Sequence, residues 1–405
     1  MDVAAALQAM RDPAGVPASP LLFQGLMVAS WVAHIAFVHL ALGASLLAII
    51  GFHRRGAGRH WEQLSISLTQ VAKVSVSLLI VLGVAPLLFT QVIYDPLWYA
   101  SNVLSGRWAI AFILTLILAY CLWFAFYAAN RPGARRHVGL YAWSALALFC
   151  LDGLIMHALS YQALQPDKWM QWYAPQGAVD ASGAQLHAVQ WSRFLFIMSL
   201  SLPLTGTFLS GYARYLGARA DRDPDYLDFC ATSGRSLAGR GYALAAALFL
   251  TWQVSLPAGL GLTGHPLGRL LFASLLGMAL WLTRSRSAAG YAPLLAAVGV
   301  LGLLAVWREI IRIHCLRPFG YVIDTYPVHA DLPSTALFFL TLAGVGGLVG
   351  GFYLALLYRA GRVAGVYVAD ARIARLGTLA IAVLGLWMAT FFAYGIVIFL
   401  HRGLL

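Results

Sequence analysis

The sequence predicts an all-α, polytopic bundle of about ten membrane-spanning helices with both termini on the outer side. Three observations predict it. The 405 residues are 61% hydrophobic and only 10% charged, where a soluble domain carries roughly 25% charged residues. The apolar residues fall in runs of about 20 or more, the length a helix needs to cross the hydrocarbon core. The bases, nearly all Arg, cluster in short connections between those runs. The formal charge of +12 therefore reads as topology rather than as nucleic-acid binding.

The opening segment, 1–19, has an acid at position 2 and no basic stretch, so it does not read as a cleavable signal. Residues 3–10 read as a short interfacial helix ended by Asp12-Pro13. The remainder, 20–405, reads as the bundle. Its spans run roughly over 20–51, 65–94, 107–129, 138–163, 187–215, 239–257, 268–283, 289–313, 334–358 and 375–400. No internal repeat is visible, which argues against the inverted-repeat plan of many transporters. Basic connections at 53–60, 130–137, 214–240, 284–287 ("RSRS") and 359–375 alternate with base-poor ones near 95–106, 161–186 and 257–268. Lys/Arg-rich loops stay in the cytoplasm, so the base-poor loops lie outside. The aromatic stretch "KWMQWYAP" (168–175) then falls at the outer interface. One outer segment breaks the alternation: 307–334 opens with Arg308, Arg312 and Arg317, which raises the question of the anion they neutralise. The four cysteines, Cys121, Cys150, Cys230 and Cys315, form no CxxC or CxxCH. Covalent c-type haem and zinc-ribbon chemistry are not expected, nor is a disulfide.

Several polar groups fall inside apolar runs. His34 and His39 lie in "AHIAFVHLALG". Five residues apart on a helix, they point roughly 140° away from each other and cannot ligate one ion from one face. They are either hydrogen-bonded packing residues or sites for haem iron, which accepts a neutral imidazole. Ala33, Ala36, Ala41 and Gly43 would let a macrocycle approach, although small residues also simply pack helices. In "REIIR", Arg308, Glu309 and Arg312 share one region of a helix. They make either a structural salt bridge or a site in which cations hold propionates and a carboxylate ligates or tunes iron. Asp152 and His157 lie five apart in the fourth span. His157 reads as a second ligand, a proton-path group or a packing residue. Lys73 snorkels or pairs with an acid. His187 and Arg193 open the fifth span at the interface. His314 and His329 fall in the Arg-bearing outer segment, as sites for a quinone or a partner. His53, His60 and His137 belong to the basic connections, and His401 to a solvated end.

These residues resemble those of cytochrome bd-type quinol oxidase subunit I. "FQGLMVASWVAHIAFVHLALGASLLAI" is similar to that family's first span, "VLGVAPLLFTQVIYDPLWY…LSG" to its second with Trp98 at the family's tryptophan, and "VWREIIRIHCL" to a late span. The likeness runs loosely over 20–358, with 375–400 an extra span. It implies His34 as axial ligand of one active-site haem, Glu309 as the carboxylate of a neighbouring high-spin b haem, and Arg312 as its support. The chain also departs from the family. The acidic ligand of the second span falls on Gln91, and "GRWAIAFIL" contains no acid. The low-spin haem's histidine and methionine fall on Phe196 and Leu271, with His187 and Met198 nearby. A proline-tryptophan pair reads His314-Cys315, and the long quinol loop shrinks to 256–269.

The resemblance thus implies one or two non-covalent b haems rather than a complete quinol:oxygen oxidoreductase. His34 and Glu309 would be the metal-side residues, Arg308 and Arg312 the propionate partners, and His39 and His157 reserve ligands. The expected function is electron transfer between the quinone pool and a partner, another membrane subunit or an external cytochrome, in a bacterial-type inner membrane. Two other readings stay open: a proton-coupled transporter or channel using His34, His39, Asp152 and His157, and a haem-free scaffold of a respiratory complex.

Overall fold

The structure is a computed structural model that describes residues 2–285 and 290–403. Within them the chain is helical, in the order α1 (Val3–Ala9), α2 (Pro20–His53), α3 (Arg59–Ile93), α4 (Asp95–Leu104), α5 (Gly106–Ala129), α6 (Gly139–Gln162), α7 (Trp169–Tyr173), α8 (Trp191–Ser199), α9 (Ser201–Leu216), α10 (Pro224–Val254), α11 (Pro266–Arg284), α12 (Ala292–Leu316), α13 (Leu332–Phe339), α14 (Gly347–Ala360) and α15 (Ala371–Gly403). A π turn at Leu340–Gly346 joins α13 to α14. Among the described residues, nine helices or joined helices are long and apolar enough to cross a bilayer. The expected tenth is carried by α10, whose first half bears Asp225, Asp228, Arg235 and Arg240 and which is uniformly apolar only beyond them. α10 nevertheless runs from Asp223, paired with Arg59 at one end, to the opposite end, where His265 at the start of α11 lies beside His314, so it traverses the bundle with the other nine.

Helix α2 is the centre of the bundle. It packs along α3 and also meets α6, α9 and α12. A helix apolar on every side belongs inside a protein or a membrane, and α2 buries the small residues Ala41, Gly43, Ala44, Ser45 and Ala48 against its neighbours. A Cβ on Gly43 would lie 2.1 Å from Thr205 Oγ1 and 2.3 Å from the Ser201 carbonyl of α9. The absent side chain is what lets the two backbones touch, the usual route to close helix association where lipid gives no hydrophobic drive. The fifth span is broken into α8 and α9 because Pro203 has no N–H for the carbonyl one turn earlier. Its second half packs against α10. Two apolar cores result, one joining α8 to α12 and one joining α2, α3, α5, α6 and α9.

The connections sort to two ends. At one end Arg59 pairs with Asp223 at 2.9 Å, Arg55 donates to the Ala134 carbonyl at 2.7 Å, and the Tyr215 hydroxyl donates to the Leu357 carbonyl at 3.0 Å. This end gathers the basic connections; Arg286 and Ser287 of the expected "RSRS" segment lie outside the described residues. At the other end, a third core builds a cap from α1, α4, α7 and 316–326. Arg11 donates to Thr325 Oγ1 at 2.7 Å and to the Val322 carbonyl at 2.9 Å, and its guanidinium lies over the rings of Tyr321 and Tyr326. Tyr326 donates to Asp95, whose second oxygen accepts from the Asp12 N–H at 2.8 Å. Trp169 of the aromatic stretch is buried in this cap and Trp172 stacks on His187 at 5.1 Å. Gly43→Val should destabilise the bundle by about 1–3 kcal/mol. Gly277→Ala, inside α11 with nothing within 4 Å of the new Cβ, should leave stability unchanged or raise it by up to about 1 kcal/mol. Thermal unfolding in detergent measures both.

Candidate functional site

Between α2, α3, α6, α8 and α12 lies a cavity of about 470 Å³. It is in the range of small-molecule and cofactor pockets, about 300–1,000 Å³. His34, His39, His157, Arg308, Glu309 and Arg312 all line it. The structure thus brings together every residue singled out from the sequence as a ligand or propionate partner. The two imidazoles of α2 point to different neighbours, as their spacing requires, and still reach one cavity.

His34 Nδ1 lies 2.9 Å from the Leu79 carbonyl of α3. A carbonyl only accepts, so Nδ1 carries the proton and Nε2 keeps its lone pair. Gly83, one turn beyond Leu79, makes room for the ring: a Cβ there would stand 2.9 Å from His34 Cε1. His39 is fully buried, with Nδ1 3.1 Å from Ser201 Oγ and Nε2 without a partner among the described residues. His157 differs. Its Nε2 already accepts from the Gln190 N–H at 3.2 Å, which leaves it the least free of the three imidazoles.

The helix α12 runs on to Leu316, so Arg308, Glu309 and Arg312 belong to the bundle interior rather than to an outer loop. His314 is on the same helix and bonds back to the Ile310 carbonyl at 2.8 Å. Glu309, 7% exposed, is held by three donors. Oε1 accepts from Gln24 Nε2 at 2.9 Å and from the Tyr94 hydroxyl, and Oε2 accepts from Arg312 Nη1 at 2.9 Å. Two donors fill Oε1, so the spare lone pair is on Oε2. Arg312 also lies 3.2 Å from Met27 Sδ and 4.5 Å over the Tyr94 ring. Burial, with the Glu309 carboxylate, raises the Tyr94 phenol, so it stays a donor. In the cap next to it, burial raises the Asp95 carboxyl against the Tyr326 hydroxyl, which lowers it, and pushes Tyr321 up to about 12.

Asp152 accepts from Thr115 Oγ1, and its buried Oδ2 has no partner among the described residues. Among the described residues Lys73 pairs with no acid, and it lies 3.9 Å from the centre of the Tyr127 ring. Gln91 does not line the cavity, while Thr90 and Tyr94 do. Phe196 and Leu271 are both fully buried in one filled apolar core, with Phe196 stacked on Trp252 at 5.5 Å. Sequence reasoning missed Gln24, Tyr94, Gly83 and Leu79. Gln24 and Tyr94 carried a signal, as polar groups at the ends of apolar runs; a backbone carbonyl carries none.

The donor set suits a metal-bearing group only if that group brings ligands of its own. Among the described residues no three His, Cys, Asp or Glu side chains cluster to hold a bare ion. A porphyrin brings four nitrogens of its own and asks the protein for one or two axial donors, a dry slot and cations for its carboxylates. His34 Nε2, His39 Nε2, the cavity and the arginines fit that demand.

No protein-family model matches the chain, and no curated protein matches it. The fold is similar to that of the bd oxidase from Geobacillus thermodenitrificans, with a TM-score of 0.56 over 85% of this chain and 99% of that chain, at 13% identity. At that identity the likeness concerns the fold: a polytopic helical bundle of the bd-oxidase type. Arg312→Ala should destabilise the protein by about 3–5 kcal/mol by leaving a buried carboxylate unpaired. Glu309→Gln/Arg312→Gln together should cost less than Arg312→Ala alone, measured by thermal or chemical unfolding.

Proposed function

We propose that this protein is a membrane electron-transfer subunit that binds one or two b-type haems without covalent attachment. In this reading it corresponds to the large subunit of a bd-type oxidase. It passes electrons between the quinone pool and a partner, another membrane subunit or an external cytochrome, in a bacterial-type inner membrane. The observation that carries the reading is the His34 tautomer. The Leu79 carbonyl fixes the proton on Nδ1, and Gly83 clears space for the ring. Nε2 is thereby left as an axial donor in the cavity that also holds Glu309.

A bound haem supplies reversible one-electron chemistry. The chain supplies the rest. His34 presents the nitrogen, and Leu79 orients it as second-sphere carbonyls orient ligating imidazoles elsewhere. Glu309, fixed by Gln24, Tyr94 and Arg312, sets a negative charge beside the cavity and keeps one lone pair on Oε2. His39 Nε2 is a second donor in the tautomer in which Nδ1 donates to Ser201 Oγ. The apolar part of the wall lowers the local dielectric, which strengthens each of these interactions. The reading stops short of a complete quinol oxidase. The positions that the resemblance gives to a low-spin haem's ligands hold Phe196 and Leu271 in a core with no polar donor from either.

Purified protein should show a Soret band and a b-type pyridine haemochrome, and His34→Ala should lose at least about half of the haem. A colourless, folded preparation from haem-replete cells would contradict this. The unpartnered Asp152 Oδ2 would then favour proton relay, tested by an Asp152-dependent flux in proteoliposomes.

A further inference from the structure

Arg193 and Arg308 stand where two cavities meet. Both line the central cavity, and both line a second one of about 310 Å³ walled by Trp252, Ile311, Cys315 and Phe319. Arg193, which the sequence placed at the interface, is 7% exposed. It donates to Ser160 Oγ at a long 3.3 Å. Arg308 lies 3.8 Å over the Trp31 ring, and its buried Nε has no acceptor. Among the described residues neither makes an ion pair: the buried Glu309 is taken by Arg312, and Asp152 reaches neither arginine. A guanidinium presents five N–H donors. Two such groups, sunk into a low-dielectric bundle with almost none of their donors used, are unfavourable unless an anion comes to them.

We propose that Arg193 and Arg308 together form a dicationic carboxylate site at this junction, and that the two propionates of the haem ligated from His34 fill it. The inference rests on the haem reading and revises its cation pair. Arg308 works with Arg193 from α8, whereas Arg312 is committed to Glu309. Guanidinium is the side chain suited to this, because its planar fork matches a carboxylate with two parallel hydrogen bonds.

The test titrates haem-depleted full-length protein in detergent with ferric haem b and with its dimethyl ester, reading the Soret band. The ester keeps the macrocycle and iron and removes both negative charges. Wild type should bind the free acid at least about tenfold more tightly than the ester. Arg193→Gln and Arg308→Gln should each erase most of that preference while leaving ester affinity within about twofold. Arg193→Lys, which keeps the charge, should retain most of it and guards against a misfolded glutamine variant. Preference unchanged in both glutamine variants overturns the site. Equal affinity of wild type for acid and ester, with stability raised by added acetate, overturns it in favour of a free carboxylate. Binding of neither porphyrin to wild type takes down the haem reading itself, and this site with it.

Discussion

In a bilayer, a buried polar group must find its partner within the chain or in something the chain holds. The interior of this bundle is organised by that constraint. On α12, Glu309 and Arg312 satisfy each other and recruit Gln24 from α2 and Tyr94 from the end of α3. On α2, the His34 ring spends its proton on the Leu79 carbonyl, and the His39 ring faces Ser201. Among the groups left over in the described residues, the His34 lone pair, His39 Nε2, the guanidinium groups of Arg193 and Arg308 and one Asp152 oxygen all belong to residues that line a single cavity. The candidate site is where the charged and ligand-type members of that remainder converge.

The cap is coupled to that remainder through consecutive residues. Tyr94 belongs to the cavity and Asp95 to the cap, and the backbone passes directly from one to the other. Asp95 is tied to Tyr326 and to the Asp12 N–H, and Arg11 covers the tyrosine pair. The N-terminal helix and the 317–331 segment therefore fix the residue that hydrogen-bonds Glu309. The last two spans make no comparable contribution. Their most apolar windows contain no buried residues, so they present apolar surface outward and leave the site to the earlier helices.

Much of this was legible in sequence. Low charge with long apolar runs gave the helical bundle, and the distribution of arginine gave its two ends. His34, His39, Glu309 and the arginines of α12 were visible because polar side chains stand out in apolar runs. Three things were not visible, each for a physical reason. The partner of His34 is a backbone carbonyl, which every residue has. Arg193 read as interfacial because the burial of α8 depends on Trp252 and Ile311, residues distant in sequence. The start of the sixth span read as 239 because hydropathy falls off there, while the helix, α10, extends unbroken back through Arg235 to Pro224.

The central claim is that an iron porphyrin sits between the first spanning helix and α12, ligated from His34. A side-chain-resolved cryo-EM map of the protein purified from haem-replete cells tests it most directly. The account expects planar macrocycle density in the central cavity, with its metal within bonding distance of His34 Nε2 and its carboxylates toward Arg193 and Arg308. A cavity closed by protein side chains, or filled only by lipid chains with His34 bonded elsewhere, would contradict it.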